Sequence, residues 1–307
     1  MRDLRSVGNH LTLLASCASI IGLLPLMATF LTIDKSALAL ITNGTVCLIL
    51  LLLFLGTLLR EWSIARKERY ADITVHIHMC QHYCRDLHSM LLDILRKQQI
   101  GEPVNKDLAM GTANRMLTDI LNEVQRLFAM LTGTACRACV KTIYEQGENF
   151  YVQALARDKN SAALCHEMDR WRQEHNADRL EHNSDFVNLY SNYNAGNRCF
   201  LSNNLDELRK KRKYFSSSDA AFAQRYPADE DARKLPYKSA VVWPIQQRRG
   251  ATGIPDDQCI GFLAVDSPCT NVFLPSWDFE IGAGIADSLY HPLRLYSDII
   301  SQFGENE

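Results

Sequence analysis

Ser239-Ala240-Val241-Val242-Trp243-Pro244-Ile245-Gln246 and, across a loop, Cys259-Ile260-Gly261-Phe262-Leu263-Ala264-Val265-Asp266-Ser267 read as the two clearest strands of the chain. Both are short apolar runs bounded by turn-forming residues, the pattern of strands that pack into a core. The loop that joins them carries Arg248-Arg249-Gly250 and Pro255-Asp256-Asp257. Upstream, Ala135–Tyr144 and Phe150–Arg157 read as paired strands around Gln146-Gly147-Glu148, and Arg198–Leu201 as a short strand. Downstream, a helix starts near Pro275-Ser276 and runs through Ile281, Ile285, Leu289 and Leu293. Helix, two strands, an irregular helical insert, two strands and a helix predict an antiparallel sheet flanked by helices.

Several of these residues carry a family resemblance. Tyr237-Lys238-Ser239 leading into Ala240–Ile245, then Ile260–Asp266, Phe273 and Ile285-Ala286-Asp287 resemble the second half of a GAF domain. Asn203-Asn204-Leu205-Asp206-Glu207-Leu208 is similar to the short helical segment before that half, and the resemblance spans residues 107–298. It implies an α/β GAF-like sensor domain, assigned to residues 132–300, with a ligand pocket between the sheet and a variable insert. GAF domains as a family bind cyclic nucleotides, tetrapyrroles, metals or other small molecules. The cyclic-nucleotide subclass carries an Asn-Lys…Phe-x-x-x-Asp-Glu signature. Here Phe273 is followed by Leu274-Pro275-Ser276-Trp277-Asp278-Phe279, with the acid displaced by one and no Glu after it, so a cyclic nucleotide is not supported. Free-methionine sulfoxide reductases are also GAF proteins that use cysteines, but their small soluble form does not resemble this chain. The insert, residues 160–236, is rich in aromatic and amide side chains, which suit a polar, planar ligand but also fill ordinary loops; the candidate pocket residues are Tyr190, Tyr193, Asn197 and Trp243.

Farther out the texture changes. The 307 residues fit roughly two folding units on a prior of about 150 each. A net charge of -2 with 22% charged residues argues against a global bias toward nucleic acid or acidic substrates. The mean hydropathy of -0.15 averages over a sharp split, because residues 11–59 are almost uncharged. Leu11–Ile33 and Ala37–Leu59 each match the roughly 20 apolar residues that cross a bilayer. They predict a two-helix transmembrane hairpin, spans 11–33 and 37–59, behind a short N-terminus at 1–10. Arg2 and Arg5 before it, and Arg60, Arg66, Lys67 and Arg69 after it, place both termini in the cytoplasm of a multi-pass inner-membrane protein. Small and polar residues in the spans, Ser19, Gly22 and Asn43 among them, suit close helix packing or oligomerisation in the membrane.

Residues 60–131 read as a juxtamembrane helical, coiled-coil linker, and 301–307 as a tail. Ile73, Ile77, Cys80, Cys84, Leu87, Leu91 and Ile94 form a heptad seam. A break at Gly101-Glu102-Pro103 precedes a second amphipathic stretch through Ala113, Leu117, Ile120, Val124, Leu127 and Leu131. The two helices form either a hairpin or a homodimer or higher oligomer. His76, Cys80 and Cys84 are spaced to present metal ligands along one helix face, although the cysteines also belong to the seam; core packing is the favoured reading and no metal or cofactor is expected. Cys136-Arg137-Ala138-Cys139 on a strand would point its thiols to opposite faces.

The sequence has none of the HExxH, GxSxG or Walker A arrangements, so the chain is expected not to be an enzyme. Arg209-Lys210-Lys211-Arg212-Lys213 is the one strongly basic run, a solvated helix face or a contact for nucleic acid or anionic lipid. The architecture resembles two-span effectors of bacterial antiviral defence, of retron or nucleotide-signalling type. That likeness implies a toxin whose GAF-like domain senses a small-molecule signal or a reverse transcriptase–nucleic acid complex and whose spans disrupt the membrane. The alternative is a membrane-anchored sensor or adaptor that signals to a separate protein.

Overall fold

A computed structural model describes residues 37–174, 178–191, 198–217, 237–246, 259–275 and 277–305. The chain divides into two compact units, Met1–Ala71 and Asp72–Glu307. In the first unit the described residues belong to the start of helix α1, Ala37–Gln99, on which Leu48, Leu51, Leu52, Leu55, Leu59 and Trp62 are exposed.

The transmembrane hairpin is corrected at this point. Among the described residues no helix is long and apolar enough to cross a membrane. The stretch expected as the second span is the beginning of a 63-residue helix that runs on through Arg60, Glu61, Lys67, Glu68 and Arg69. Leu11–Ile33, with Ser19 and Gly22, lies outside the described residues. The multi-pass inner-membrane location goes with the hairpin, as does the membrane-disrupting, antiviral reading that depended on it.

The second unit is built on one five-stranded antiparallel sheet, with β1 Arg137–Gln146, β2 Asn149–Arg157, β3 Phe200–Ser202, β4 Ser239–Gln246 and β5 Cys259–Ser267 in the order β2-β1-β5-β4-β3. Alternation along each strand gives the sheet two unlike faces. Ala138 and Val140 of β1, Val241, Trp243 and Ile245 of β4, and Leu263 and Val265 of β5 share the larger core with a helical layer. That layer consists of α2, Lys106–Thr132, α6, Asp278–Glu305, and the part of α1 after Asp72.

The heptad seam is consumed within this layer. Cys80, Cys84, Leu87, Leu91 and Ile94 are buried in one cluster with Ala113, Leu117, Ile120, Val124 and Leu127 of α2 and Leu289, Leu293, Tyr296 and Ile299 of α6. Tyr296 Oη donates to Asn114 Oδ1 at 3.1 Å, tying α6 to α2. The period of the seam was legible in the sequence, but three helices of one chain satisfy it. Helix α2 is closed at its start by Asn105, whose side chain accepts from Leu108 N at 3.0 Å.

Helix α3, Lys159–Glu174, is joined to the sheet by the fully buried Asp158. Its Oδ1 accepts from the backbone N–H groups of Asn160 and Ser161, both at 3.0 Å, and its Oδ2 accepts from Ala138 N at 2.8 Å. One carboxylate thus caps a helix and fixes that helix against β1. A 3-10 turn, Leu180–His182, and two short helices, α4 Ser184–Ser191 and α5 Leu205–Lys210, complete the described elements.

Candidate functional site

The second face of the sheet is partly apolar. Val152, Val242, Cys259 and Phe262 pack with Leu180, Phe186 and Leu189 from the segment after α3 and from α4. Beside this small cluster the same alternation brings charge inward. Arg137 and Lys141 on β1 and Asp266 on β5 occupy the positions between those that face the helical layer.

These groups and the chain that covers them carry two sets of ion pairs, Arg137 with Asp266 and Arg157 through Asp169 and Arg172 to Asp178. Arg137 Nε donates to Asp266 Oδ1 at 2.6 Å, and its guanidinium lies 5.3 Å from the centre of the Tyr237 ring. Arg157, at the end of β2, holds Asp169 of α3 in a two-pronged contact, Nε to Oδ2 at 2.7 Å and Nη2 to Oδ1 at 2.9 Å. Arg172, one turn farther along α3, stands 3.4 Å from Asp169 Oδ1 and 3.6 Å from Asp178 Oδ1. Ser217 Oγ donates to Asp178 Oδ1 at 3.1 Å. Arg172 is 5% exposed, and its Nε has no hydrogen-bond partner among the described residues. A buried guanidinium N–H without an acceptor is costly, which marks this position within the network.

Titration follows the burial. Burial pushes the Asp185 carboxyl up to about 6, against the opposing pull of Lys141, the backbone N–H groups of Asp185 and Phe186, and the Tyr214 side chain. Burial also pushes the Tyr237 hydroxyl up to about 12; Asp266 and Asp185 add to the rise, while Tyr214 and Arg172 oppose it. Asp266 is raised by burial despite Arg137. At Asp169 burial acts in the same sense, but Arg157, Arg172 and Lys141 hold the carboxyl below its ordinary range. A group near neutrality beside a fixed cation and two tyrosines is the arrangement that binding and catalytic sites use.

The Asp185 shift has a direct consequence for stability. Its folded-state pKa lies above the ordinary 3.8, so the stability it contributes is present below about pH 4 and is lost as pH rises through about 6. Asp185→Asn keeps the acceptor for Phe186 N, which is 3.1 Å from Oδ1, and removes the ionisation. The variant is expected to match the wild type near pH 4 and to exceed it by up to about 3 kcal/mol at pH 7.5. Urea denaturation across that range reads the difference, and a gap that stays constant with pH would contradict the assignment.

The residues expected from sequence fall elsewhere in part. Trp243 is fully buried on the helical side of the sheet, 5.5 Å from the Phe128 ring, with Nε1 donating to Phe279 O at 3.0 Å. It is a core residue, because position 243 shares its parity with Val241 and Ile245, which face the helices. Tyr190 lies on α4 beside the second-face cluster, its ring 5.5 Å from that of Phe150. Tyr193 and Asn197 lie outside the described residues.

Arg209 and Lys210 end α5, and Lys211, Arg212 and Lys213 follow it. Arg209 stands 3.7 Å from Asp206 and 5.8 Å from the Tyr214 ring, and Lys211 pairs with Glu207, so acids of the same helix offset part of the run. Asn43 lies in α1.

His76 Nδ1 is 2.6 Å from Glu123 Oε2, and Arg126 Nη1 donates to Glu123 Oε1 at 2.6 Å. Burial pushes both the Cys80 and Cys84 thiols up to about 12, which keeps them protonated and poor as ligands. Among the described residues no group of three or more His, Cys, Asp or Glu side chains is placed to hold a metal ion.

Sequence reasoning missed Arg137, Lys141, Arg157, Asp169, Arg172, Asp178, Asp185 and Tyr237. The signal in reach was the strict alternation of Arg137, Cys139 and Lys141 with Ala138 and Val140.

The sheet order, the helical layer on one face and the insert over the other agree with the resemblance carried by Tyr237–Asp266. Part of the chain is similar to solved GAF-domain structures. No family model and no curated protein matches the sequence. Among solved structures, the chain is similar to a type II free methionine-R-sulfoxide reductase from Thermoplasma acidophilum, at 10% identity and a TM-score of 0.35 over 58% of this chain and 93% of that one. It is also similar to the GAF domain of an Acinetobacter phosphoenolpyruvate-protein phosphotransferase, at 14% identity and 0.32 over 68% and 95%. A free methionine-R-sulfoxide reductase from Neisseria meningitidis, solved with its substrate, aligns at 11% identity and 0.33 over 64% and 96%.

The expectation that the chain is not an enzyme is withdrawn, because the reductases among these matches are enzymes and such a fold is common to enzymes and non-enzymes.

Proposed function

We propose that the GAF-like domain is a sensor that binds a small molecule with an anionic group on the second face of its sheet. Arg172 and Lys141 are the cations that receive the ligand, and Asp185 and Tyr237 are its polar partners. The observation that carries this reading is the buried polar network itself. Folding alone favours apolar packing there, since replacing buried ion pairs by apolar groups of similar volume is often neutral or stabilising. A network that spends stability in this way is accounted for by binding.

Sensing requires that occupancy reach another element. Arg137 and Lys141 share β1 with Ala138 and Val140, which face the helical layer holding α1. A ligand that shifts β1 therefore acts on the packing of the seam. The test is thermal melting of the full chain with inorganic phosphate, amino acids, dicarboxylates and mononucleotides. Binding to the folded state at about 100 times Kd adds about 2.7 kcal/mol and raises Tm. At least one member of the panel is expected to do so in a concentration-dependent manner, and a panel without effect would count against the proposal.

A further inference from the structure

The geometry points to a second binding site, independent of the first, for a divalent transition-metal ion at His78 and His82 of α1. The two residues are one helical turn apart, and Nε2 of His78 lies 2.8 Å from Nε2 of His82. Their ring centroids are 4.2 Å apart with the planes at 86°, so the rings meet at an angle and not head-on. Two neutral imidazoles that bring the same nitrogen to one point present two ligands of the kind Zn²⁺ takes, at about 2.0–2.1 Å each. At the observed separation an ion would see the pair at close to a right angle. A slight opening of these solvent-facing side chains reaches the tetrahedral angle, with water in the remaining positions.

Neighbouring residues separate this pair from the other histidines. His76 is already engaged by Glu123 at 2.6 Å, and His88 faces His291 at a centroid distance of 6.4 Å. At His82 the far nitrogen, Nδ1, is 2.5 Å from Arg85 Nη2. Arg85 can only donate, so in this arrangement Nδ1 accepts and the proton of neutral His82 sits on Nε2, shared with His78. Metal binding at Nε2 moves that proton to Nδ1 with no net release, and Arg85 must then turn away. Asp86 stands ready to receive it, with Oδ1 4.0 Å from Arg85 Nε. Arg85 is thus both the residue that sets the metal-free tautomer and the charge that opposes the ion.

The chemistry calls for a borderline cation that accepts imidazole nitrogen, with Zn²⁺ as the probe. Chelation across positions i and i+4 closes a ring over one turn of helix, so occupancy staples α1 where it enters the second unit. Isothermal titration calorimetry of Zn²⁺ into the metal-free full chain is expected to show saturable binding that is lost in His78→Ala and in His82→Ala. It is retained in His88→Ala and tightened in Arg85→Ala, with helix content by circular dichroism unchanged in all four. Amide exchange is expected to slow around residues 75–85 on addition of Zn²⁺. Saturable binding that survives both His78→Ala and His82→Ala, or its absence in the wild type, would overturn the assignment.

Discussion

Gly261→Ala is expected to abolish the folded second unit or to weaken it by more than about 3 kcal/mol, as read by urea denaturation. A Cβ at position 261 would stand 2.2 Å from Lys141 O and 3.3 Å from the Thr142 Cα. Both are main-chain atoms of the neighbouring strand; the first lies far inside van der Waals contact, and no rotamer can relieve it. The crowding has a local cause. The register of β1 against β2 shifts between Val140 and Lys141, a bulge that bends β1 at the place where Gly261 pairs with Thr142. Since β1 and β5 are central strands, opening them separates the sheet into two halves. A variant that melts like the wild type would show that β1 does not approach β5 so closely.

Trp243→Ala is expected to cost about 5 kcal/mol, at the upper end of large-to-small changes in cores and comparable with the whole stability of many domains. The indole is fully buried and fills the space between Phe128 of α2 and α6. A Cβ on Gly282 would lie 2.1 Å from the indole Cζ2, so α6 packs directly on the ring face through a residue with no side chain. Truncation leaves a large cavity and deprives Phe279 O of its donor. Trp243→Phe keeps most of the volume and should lose about half as much. The same pair tests the role of the residue: a ligand-contacting tryptophan would leave stability nearly intact and alter binding.

The strands were legible because their composition and bounding turns are local properties. β4 and β5 occupy Ser239–Gln246 and Cys259–Ser267, and the seam is buried from Cys80 to Ile94, with Ile73 and Ile77 half-buried against it. The side of the sheet that each residue faces was harder to read. Trp243 looked like a pocket residue because a large aromatic in a GAF-like strand suits a ligand, yet only the parity of β4 relative to the helical layer decides its direction. The charged site was hidden for a related reason. Arg157, Asp169, Arg172 and Asp178 come together through the packing of α3 on β2, and no spacing along the chain announces that contact. The hairpin expectation failed differently: it rested on windows of apolar residues, and among the described residues no helix is long and apolar enough to cross a membrane.

The central claim is that the network around Arg172 serves ligand binding. The measurement that tests it most directly is calorimetric titration of the full chain with the panel member that raises Tm most, in the wild type and in Arg172→Lys. Lysine keeps a positive charge facing Asp178 but loses the planar fork and its Nε donor. Saturable binding by the wild type that weakens at least about tenfold in Arg172→Lys, a loss of about 1.4 kcal/mol, is the predicted result. Equal affinity in the two proteins would contradict the account and leave the network a purely structural feature of the fold.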